Sequence, residues 1–382
     1  MFRFVLIFTL LICLGSCEAA PPVRVATFNI AMGLEEPGQL GRALAGGTDA
    51  RLQQVAQILQ TVRPDIVLLN EFDFDPAVDA ARLFNDNFLA DGDNPLHYPY
   101  RFQAPVNTGI DSGLDLDGDG KTSGAGDAWG FGQFPGQYGM LVLSRYPIDS
   151  GRSRSFRNFR WSSLPGARQP ANPDGSPFYL DTVWPRLRLS SKSHWDLVFD
   201  IDGKDFHLLA YHPTPPVFDG PEDRNGLRNF DEIRFWLDYT RPGGADYIVD
   251  DDGNRGGIEP GAPFVIAGDF NADPQDGDSV DNAAGQLLNA PWINSRCLPT
   301  SQGAAEASRL QGEVNEKQQG DPAADTADFN DKFTGNLRLD YLLPSRGLAV
   351  GACGVFWPAR NETGHDWAEV SDHRLVWLDI VL

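Results

Sequence analysis

The sequence of 382 residues predicts an α/β domain in which long loops are inserted between strands and helices. A strand–helix–strand unit begins the predicted domain, further segments of strand length follow it, and no linker separates two comparable cores. Hydrophobic residues make up 41% of the chain and aromatic residues 11%, which is enough to bury a large core. The 40 glycines and 28 prolines stay below the level typical of low-complexity chains, which excludes a mostly disordered or fibrous protein.

The first predicted unit is a strand, a helix and a second strand. Residues 23–30 alternate in polarity and are rich in β-branched side chains, which favours a strand. Residues 49–61 carry apolar side chains at helical spacing, and an Arg-Pro pair follows and ends that helix. Residues 65–69 form a short apolar run that stops just before Glu71, so we expect a buried strand there.

The strand pattern continues through the rest of the chain, with one more long helix. Alternating or continuous apolar runs predict strands over residues 137–144, 186–190, 195–201, 204–211, 264–268, 337–343 and 374–380. Apolar residues on one face predict a helix within residues 222–239. Three large insertions interrupt this pattern: residues 72–136, 213–261 and 274–335.

The N-terminus has the pattern of a secretory signal. Arg3 precedes an apolar run over residues 4–14, which is too short to span a bilayer. The run leads into Leu-Gly-Ser-Cys and resembles a bacterial lipobox, in which Cys17 would be lipidated and become the mature N-terminus; cleavage near Ala19 is the alternative.

The sequence therefore predicts a signal segment over residues 1–20 and a single domain over residues 21–382. We expect an exported protein that is periplasmic, secreted or an outer-membrane lipoprotein. Membrane contact is expected only through the N-terminal anchor, and no protein partner is inferred. Outside the cytoplasm, Cys297 and Cys353 either form a disulfide or remain two buried thiols.

The net charge of the chain is strongly acidic, with one local reversal. Lys and Arg number 31 against 53 Asp and Glu, and the net charge of −22 opposes non-specific wrapping of nucleic acid by the whole surface. Residues 151–161 instead interleave aromatic residues with four arginines: Arg152, Arg154, Arg157 and Arg160. They either grip substrate phosphates, with aromatic rings stacking on bases, or keep a strand edge soluble.

Polar side chains recur at the ends of the predicted strands, where α/β proteins build their sites. They are Asn29, Glu71, His212, Asp269, Asn271, Asp340, Asp372 and His373. Any one of them alone would be a capping or turn residue. Together they supply two imidazoles and several hard oxygen ligands, which suit Mg²⁺, Mn²⁺ or Ca²⁺ rather than zinc. A metal held by few carboxylates keeps the open positions that phosphoryl chemistry uses.

The segments TFNI, LLNE, YHPT, GDFN, RLDY and SDHR occur in this order over residues 23–382. This series resembles the endonuclease/exonuclease/phosphatase superfamily, which includes DNase I-like nucleases, apurinic endonucleases, inositol-polyphosphate phosphatases and bacterial sphingomyelinases. The resemblance implies a DNase I-like fold, a four-layer α/β/β/α sandwich of two mixed β-sheets flanked by helices. It also implies a phosphoesterase that depends on Mg²⁺ or Mn²⁺ and attacks phosphorus with water.

The resemblance implies metal-binding roles for three of the strand-end residues. Glu71 would be the principal metal carboxylate, and Asn29 would bind the metal or hold its carboxylate ligand. Asp372 would be a second metal or site carboxylate. Many relatives have Gln before the metal Glu, whereas this chain has the shorter Asn70, which weakens any transfer of substrate preference.

The resemblance implies catalytic roles for the other five. Asp269 would align or deprotonate the attacking water, and Asn271 would donate a hydrogen bond to a phosphoryl oxygen. His373 would contact the phosphate while Asp340 orients its ring. His212 would donate a proton to a phosphoryl oxygen or to the leaving group.

A second acidic motif matches the start of a calcium-binding loop. Its alternate carboxylates precede a glycine and are Asp115, Asp117 and Asp119. The twelfth position is Gly126 rather than Glu, so the loop is no complete EF-hand, and Asp111 or Asp127 would have to close the shell. The motif is either a structural Ca²⁺ site or a solvated acidic turn.

Two substrate classes stay open for the predicted enzyme. The arginine-rich residues 151–161 support a nucleic-acid phosphodiester, which the prediction favours slightly, and hence a nuclease. The acidic total and the N-terminal anchor support a phosphatase or phospholipase that acts on small or lipid phosphoesters. A non-catalytic surface protein that binds its partner through calcium at the Asp115 loop is the alternative from another class.

Overall fold

Two β-sheets pack face to face, with helices on their outer surfaces, in the computed structural model, which describes residues 21–382. The predicted signal segment and Cys17 lie outside the described residues, so export and lipidation stay predictions. None of the helices in the described part of the chain is long and apolar enough to cross a membrane.

The elements alternate along the chain. The strands are β1 (Val23–Met32), β2 (Ile66–Phe72), β3 (Tyr100–Phe102), β4 (Met140–Ser144), β5 (Ile148–Ser155), β6 (His194–Ile201), β7 (Lys204–Tyr211), β8 (Phe264–Asp269), β9 (Ala327–Asp328), β10 (Asn336–Leu337), β11 (Asp340–Pro344), β12 (Ala349–Phe356) and β13 (Leu375–Val381). The helices are α1 (Gln39–Gly46), α2 (Ala50–Val62), α3 (Ala80–Phe84), α4 (Arg224–Thr240), α5 (Gly285–Leu288), α6 (Gln302–Gln311) and α7 (His365–Ala368).

Both large sheets are mixed. The first has the strand order β12-β13-β1-β2-β4-β3, and the second has the order β11-β8-β7-β6-β5. β1 and β2 run parallel at the centre of the first sheet, as β7 and β8 do in the second, while the other neighbours are antiparallel. β9 and β10 form a separate two-stranded ribbon.

The layers follow from the alternation of side chains along each strand. In β1, Val25 points between the sheets and packs with β6 and β8, whereas Phe28 points outward beneath α1 and α2. In β7, Leu208 faces the inner layer and Tyr211 faces α4. Three apolar layers therefore separate four layers of structure, and the predicted four-layer sandwich is confirmed.

The structure departs from the predicted elements where burial, rather than sheet pairing, produced the alternation. Residues 186–190 are not a strand of either sheet: a 3₁₀ turn covers Trp184–Arg186, and Arg188 forms an isolated bridge with Arg160. Leu187 and Leu189 alternate because both pack into the layer beneath α4. The predicted strand over residues 337–343 is divided between β10 and β11.

Several elements lacked a clear pattern in the sequence. β5 contains arginines and few apolar residues, so it shows no strand pattern. Half of β12 is glycine or alanine, which have low strand propensity. The other unpredicted elements are α1, α7, the short strands β3 and β9, and short helices within residues 72–136 and 274–335.

The structure pairs the two cysteines of the described chain. A disulfide joins Cys297, in the loop that follows α5, to Cys353 in β12, across a sequence separation of 56 residues. Closing a loop of that length in the unfolded chain stabilises the fold by about 4 kcal/mol in the chain-entropy treatment.

We predict that the double variant Cys297→Ser/Cys353→Ser melts at a lower temperature than the wild type, by roughly 5 °C. The loss arises because the unfolded chain regains the freedom that the cross-link removes. Calorimetric melting measures it, and the wild type in a strong thiol reductant serves as the matched condition. Equal melting temperatures for all three samples would contradict the prediction.

A carboxyl just before β9 is buried with an oxygen that has no hydrogen-bond partner among the described residues. Asp325 is 6% exposed, and no described residue donates a hydrogen bond to its Oδ2. Burial, reinforced by the charges of Asp273, Asp276 and Asp321, raises the pKa of Asp325 to about 8 from its ordinary 3.8. Between these two pH values the folded state holds a proton that the unfolded chain has released, so the free energy of unfolding falls as pH rises.

We predict that Asp325→Asn matches the wild type in melting temperature near pH 4 and exceeds it increasingly up to about pH 8, because the amide needs no proton. Melting curves at pH 4, 6 and 8 test this, with the exposed Asp93→Asn as control. A difference between variant and wild type that does not change with pH would refute the buried, protonated carboxyl.

Candidate active site

Six strand ends converge at one edge of the two sheets. The parallel strands β1 and β2, and the parallel strands β7 and β8, end there, while the antiparallel β11 and β13 begin there. These ends carry Asn29, Glu71, His212, Asp269, Asp340 and His373. The residues are far apart in sequence, and their convergence follows from the packing of the two sheets on each other.

The amide of Asn29 connects the sheets. Its Nδ2 donates hydrogen bonds to Glu71 Oε1 and to Asp269 Oδ2, each at 3.1 Å. Its Oδ1 accepts the backbone N–H of Ala31 at 3.0 Å, which orients the amide. Of the two roles that the resemblance implies for Asn29, holding the carboxylate of Glu71 fits these contacts.

Asp269, the last residue of β8, lies at the centre of the cluster and is 1% exposed. Its Oδ2 is 3.3 Å from His212 Nε2 and 3.6 Å from His373 Nε2, and its Oδ1 accepts the backbone N–H of Asn271 at 2.8 Å. Burial alone would raise the pKa of Asp269, but the charge of His373 and the hydrogen bond from His212 hold that pKa well below its usual range. Asp269 is therefore an ionised carboxylate between two imidazoles.

His373 and Asp340 form a buried pair. His373 Nδ1 is 2.8 Å from Asp340 Oδ2, which also accepts the hydroxyl of Thr326 at 2.8 Å. Burial alone would lower the pKa of His373, but the carboxylates of Asp340 and Asp269 raise it to about 10. Burial raises the pKa of Asp340 to about 6, so at neutral pH the proton of the pair is on His373.

The ligand atoms of Asp269, Asp340 and His373 lie within 4.8 Å of one another, a spacing that could hold a metal ion. His373 is protonated, and both of its ring nitrogens face carboxylates. A protonated imidazole carries a hydrogen on each nitrogen and has no lone pair to offer a metal ion. This trio therefore fits a hydrogen-bonded charge cluster better than a metal site.

His212 differs from His373 although both face Asp269. Burial, and then the charge of Lys192, lower the pKa of His212. Its Nδ1 is buried and has no hydrogen-bond partner among the described residues. One neutral and one protonated imidazole therefore contact the same carboxylate.

Three residues at this edge adopt left-handed backbone conformations. The φ angles are 50° at Ala31, 57° at Glu71 and 51° at Asn271. Each non-glycine residue in this region costs on the order of 1 kcal/mol, and such strain concentrates at functional sites. Ala31 and Glu71 lie near the ends of β1 and β2, where the pairing of these two strands shifts register, and Asn271 follows β8.

The cluster opens into a cavity of about 980 Å³. Glu71, Asp269, His212 and His373 line its floor, together with Asn271, whose Nδ2 donates to the carbonyl oxygen of Pro213 at 3.2 Å. Asp372 is exposed and also lines the cavity. All the predicted metal and catalytic residues therefore lie in the wall or directly behind it.

Asn70, the shorter residue before Glu71, is fully buried. Its Oδ1 accepts the hydroxyl of Thr27 at 3.3 Å, and its Nδ2 donates to the carbonyl oxygen of Tyr211 at 3.4 Å. Asn70 thus forms a second polar link between the sheets, directly behind Glu71.

The sequence analysis missed Lys192, which lines the cavity and is 6% exposed. Burial lowers the pKa of Lys192, while the charges of Glu232, Glu71 and Asp269 raise it. Strand pairing could have located it: β6 and β7 form a hairpin that pairs His194 with Tyr211, which places Lys192 opposite the residues after β7. Its Nζ lies 3.4 Å from the carbonyl oxygen of Pro213.

The four arginines of residues 151–161 are not part of the cavity wall. Arg152 pairs with Asp149 and Asp205, and Arg154 pairs with Asp250 at 2.7 Å. The four arginines are Arg152, Arg154, Arg157 and Arg160. The aromatic residues between them pack beneath α4 instead of facing solvent. The structure therefore does not bring these arginines to the site, and the alternative of a charged strand edge describes their contacts.

The predicted calcium loop closes differently from its sequence pattern. Oxygens of Asp115, Asp117 and Asp127 lie within 4.8 Å of one another and could hold a cation. Asp119 is not part of this group, because its carboxylate pairs with the Nζ of Lys121 at 2.6 Å. Asp127, which the sequence left as one of two closing residues, takes the third place, and a calcium ion there stays a prediction.

Comparison with known proteins agrees with this geometry. The family model described as "Endonuclease/Exonuclease/phosphatase family" matches residues 26–373. No sequence of a curated protein matches this chain.

Solved structures are similar to this chain at low sequence identity. An endonuclease/exonuclease/phosphatase from Beutenbergia cavernae DSM 12333 is 19% identical with a TM-score of 0.52, covering 95% of this chain and 72% of that one. A family protein from Leptotrichia buccalis C-1013-b is 16% identical with a TM-score of 0.48, covering 94% and 100%. The human Nocturnin catalytic domain with bound sulfate anion is 15% identical with a TM-score of 0.46, covering 95% and 94%. The first of these structures shows the fold that this chain shares.

The family match extends over the strand ends that build the cavity floor, and the two sheets have the DNase I-like arrangement. The chain therefore belongs to the endonuclease/exonuclease/phosphatase family, whose members are generally hydrolases of phosphoester bonds.

Proposed function

We propose that this chain is an exported phosphoesterase that depends on Mg²⁺ or Mn²⁺ and hydrolyses phosphodiester bonds by direct attack of water. The observation that carries the proposal is the convergence of Glu71, Asp269, His212 and His373 on the floor of one cavity. Oxygen ligands, an ionised carboxylate and a protonated imidazole are the groups that such a reaction needs.

The donor set fits a hard divalent cation. Asn29 holds one carboxylate oxygen of Glu71, and no described residue donates a hydrogen bond to the other. Glu71, with Asp372 as a second carboxylate, would hold the ion, and few protein ligands leave positions open for water and substrate. When bound, the ion polarises the phosphoryl oxygen and stabilises the negative charge that develops on it.

Side chains of the cavity floor would supply the other groups that the reaction needs. Asp269 has a lowered pKa, which makes it a weak base, so it fits the alignment of the attacking water better than removal of its proton. His373, held protonated by Asp340, would donate a hydrogen bond to a phosphoryl oxygen, and Asn271 would donate another. His212 would donate a proton to a phosphoryl oxygen or to the leaving group.

Export is supported by the apolar N-terminal run and by the disulfide, since disulfides persist outside the cytoplasm. A non-catalytic calcium-dependent binder receives less support, because a purely binding role would not require the buried charge cluster behind the cavity. A nuclease remains one form of the proposed phosphodiesterase.

We predict that the purified protein hydrolyses bis-p-nitrophenyl phosphate with Mg²⁺ or Mn²⁺ and that EDTA abolishes the reaction. Plasmid DNA and p-nitrophenyl phosphate, assayed in parallel, separate a nuclease and a phosphomonoesterase from a small-molecule phosphodiesterase. A folded protein that hydrolyses none of the three substrates with either metal would overturn the proposed function.

We also predict that Glu71→Gln and His373→Asn each lower kcat by roughly 10²- to 10⁴-fold, because the first removes the carboxylate that would hold the cation and the second removes a positive charge that would stabilise the developing phosphorane. The matched control is the exposed Asp366→Asn, which lies outside the cavity wall. Circular dichroism melting establishes that the variants are folded. Wild-type kcat in folded Glu71→Gln would remove this residue from the reaction.

A further inference from the structure

Three phenylalanines at the mouth of the cavity are unusually exposed. Phe131 is 60% exposed, Phe218 is 87% exposed and Phe333 is 80% exposed, and all three line the cavity. Each lies on a different one of the three insertions that the sequence places between the strands. Exposed apolar side chains that gather at a cavity mark a binding surface, whereas single ones scattered over a surface need no explanation.

The apolar surface continues inward from these rings. The wall includes further apolar side chains: Leu116, Val217, Phe329, Leu337 and Leu339. Glu71 and Asp269 line the same cavity, so the apolar wall and the phosphate-handling floor belong to one space. A molecule with its phosphorus atom at the floor would extend its organic group past the apolar wall to the phenylalanines.

The charges of the wall exclude some organic groups. Asp273, Asp276 and Asp278 line the cavity and would repel a second phosphate group. Of the three lining arginines, Arg224 pairs with Glu222, Arg228 donates to three backbone carbonyl oxygens, and Arg188 donates to the side-chain oxygen of Asn107. These surroundings disfavour a polyanionic chain and favour an organic group without phosphates.

We infer that this cavity selects phosphoesters of large apolar alcohols, whose alkyl or aryl part packs against Phe131, Phe218 and Phe333. The inference rests on the proposed function and specifies its substrate class. The apolar group gains free energy by leaving water for the three rings, and the rings lose their own exposure to water. An apolar group esterified to phosphate occurs both in a soluble amphiphile and in a membrane lipid. The experiments below therefore distinguish a soluble substrate from a membrane lipid.

The test compares octyl p-nitrophenyl phosphate with methyl p-nitrophenyl phosphate. In both, water attacks phosphorus, the bond to the nitrophenolate oxygen breaks, and the alkyl monophosphate and p-nitrophenol are released. For the wild type we expect kcat/KM to be on the order of tenfold to a hundredfold higher for the octyl ester, because the longer chain buries more CH₂ groups.

The triple variant Phe131→Ser/Phe218→Ser/Phe333→Ser should lose most of this octyl-to-methyl ratio. The matched control is Leu180→Ser, since Leu180 is 69% exposed but does not line the cavity. A wild-type ratio near one, or a ratio that the triple variant retains, would overturn the inference.

A binding measurement separates failure of the inference from failure of the proposed function. Titration calorimetry with octyl phosphate and methyl phosphate should give tighter binding of octyl phosphate to the wild type and a loss of that difference in the triple variant. If neither ester is hydrolysed but this result holds, the proposed function fails and the inference stands; equal binding of the two phosphates overturns it.

Phosphatidylcholine vesicles test whether the three rings bind the apolar group of a membrane lipid or that of a soluble amphiphile. Co-sedimentation of the wild type, but not of the triple variant, would show that the rings engage the organic group within a membrane. Octyl selectivity without co-sedimentation would show that they engage a soluble amphiphile. Co-sedimentation of both proteins to the same extent, without octyl selectivity, would overturn the role of the three rings.

Discussion

The hydrogen bonds of the Asn29 amide to Glu71 and Asp269 are the interaction on which the candidate site depends. Glu71 belongs to one sheet and Asp269 to the other, so the distance between the two carboxylates is set by the packing of the sheets. Two like charges at a buried edge repel each other, and a shared donor offsets part of that repulsion. The inner apolar layer and this amide together fix the geometry of the cavity floor.

The rest of the site compensates for burying Asp269. An ionised carboxylate without partners is costly to bury, and here two imidazoles and a backbone N–H surround it. His373 carries the balancing proton because Asp340 lies on its other side. The arrangement couples stability to chemistry, since the contacts that keep Asp269 ionised also aim a donor at the place where phosphate would bind.

The strands of the two sheets and the insertions between them supply different parts of the candidate site. Strand ends supply the groups that would act on phosphorus, whereas the three insertions and the segment between β5 and β6 supply the wall and mouth of the cavity. The predicted basic grip of Arg152 and its neighbours did not reach this cavity, because the aromatic residues between the arginines anchor that segment under α4. The local charge pattern left two interpretations of these arginines open, and the packing shows that their contacts are those of a charged strand edge.

The sequence by itself determined the central strands, their strand-end polar residues and the helices α2 and α4, because these depend on local periodicity and on residue types at turns. The tertiary structure alone decided that Lys192 lines the cavity and that the Asn29 nitrogen donates to two carboxylates. It also decided that Asp127, rather than Asp111, joins Asp115 and Asp117, while Asp119 stays outside that group. These outcomes depend on which strands pair and how two sheets stack, and such contacts join residues far apart in the chain. Periodicity reports only which face of an element is buried, and it carries no information about what that face meets.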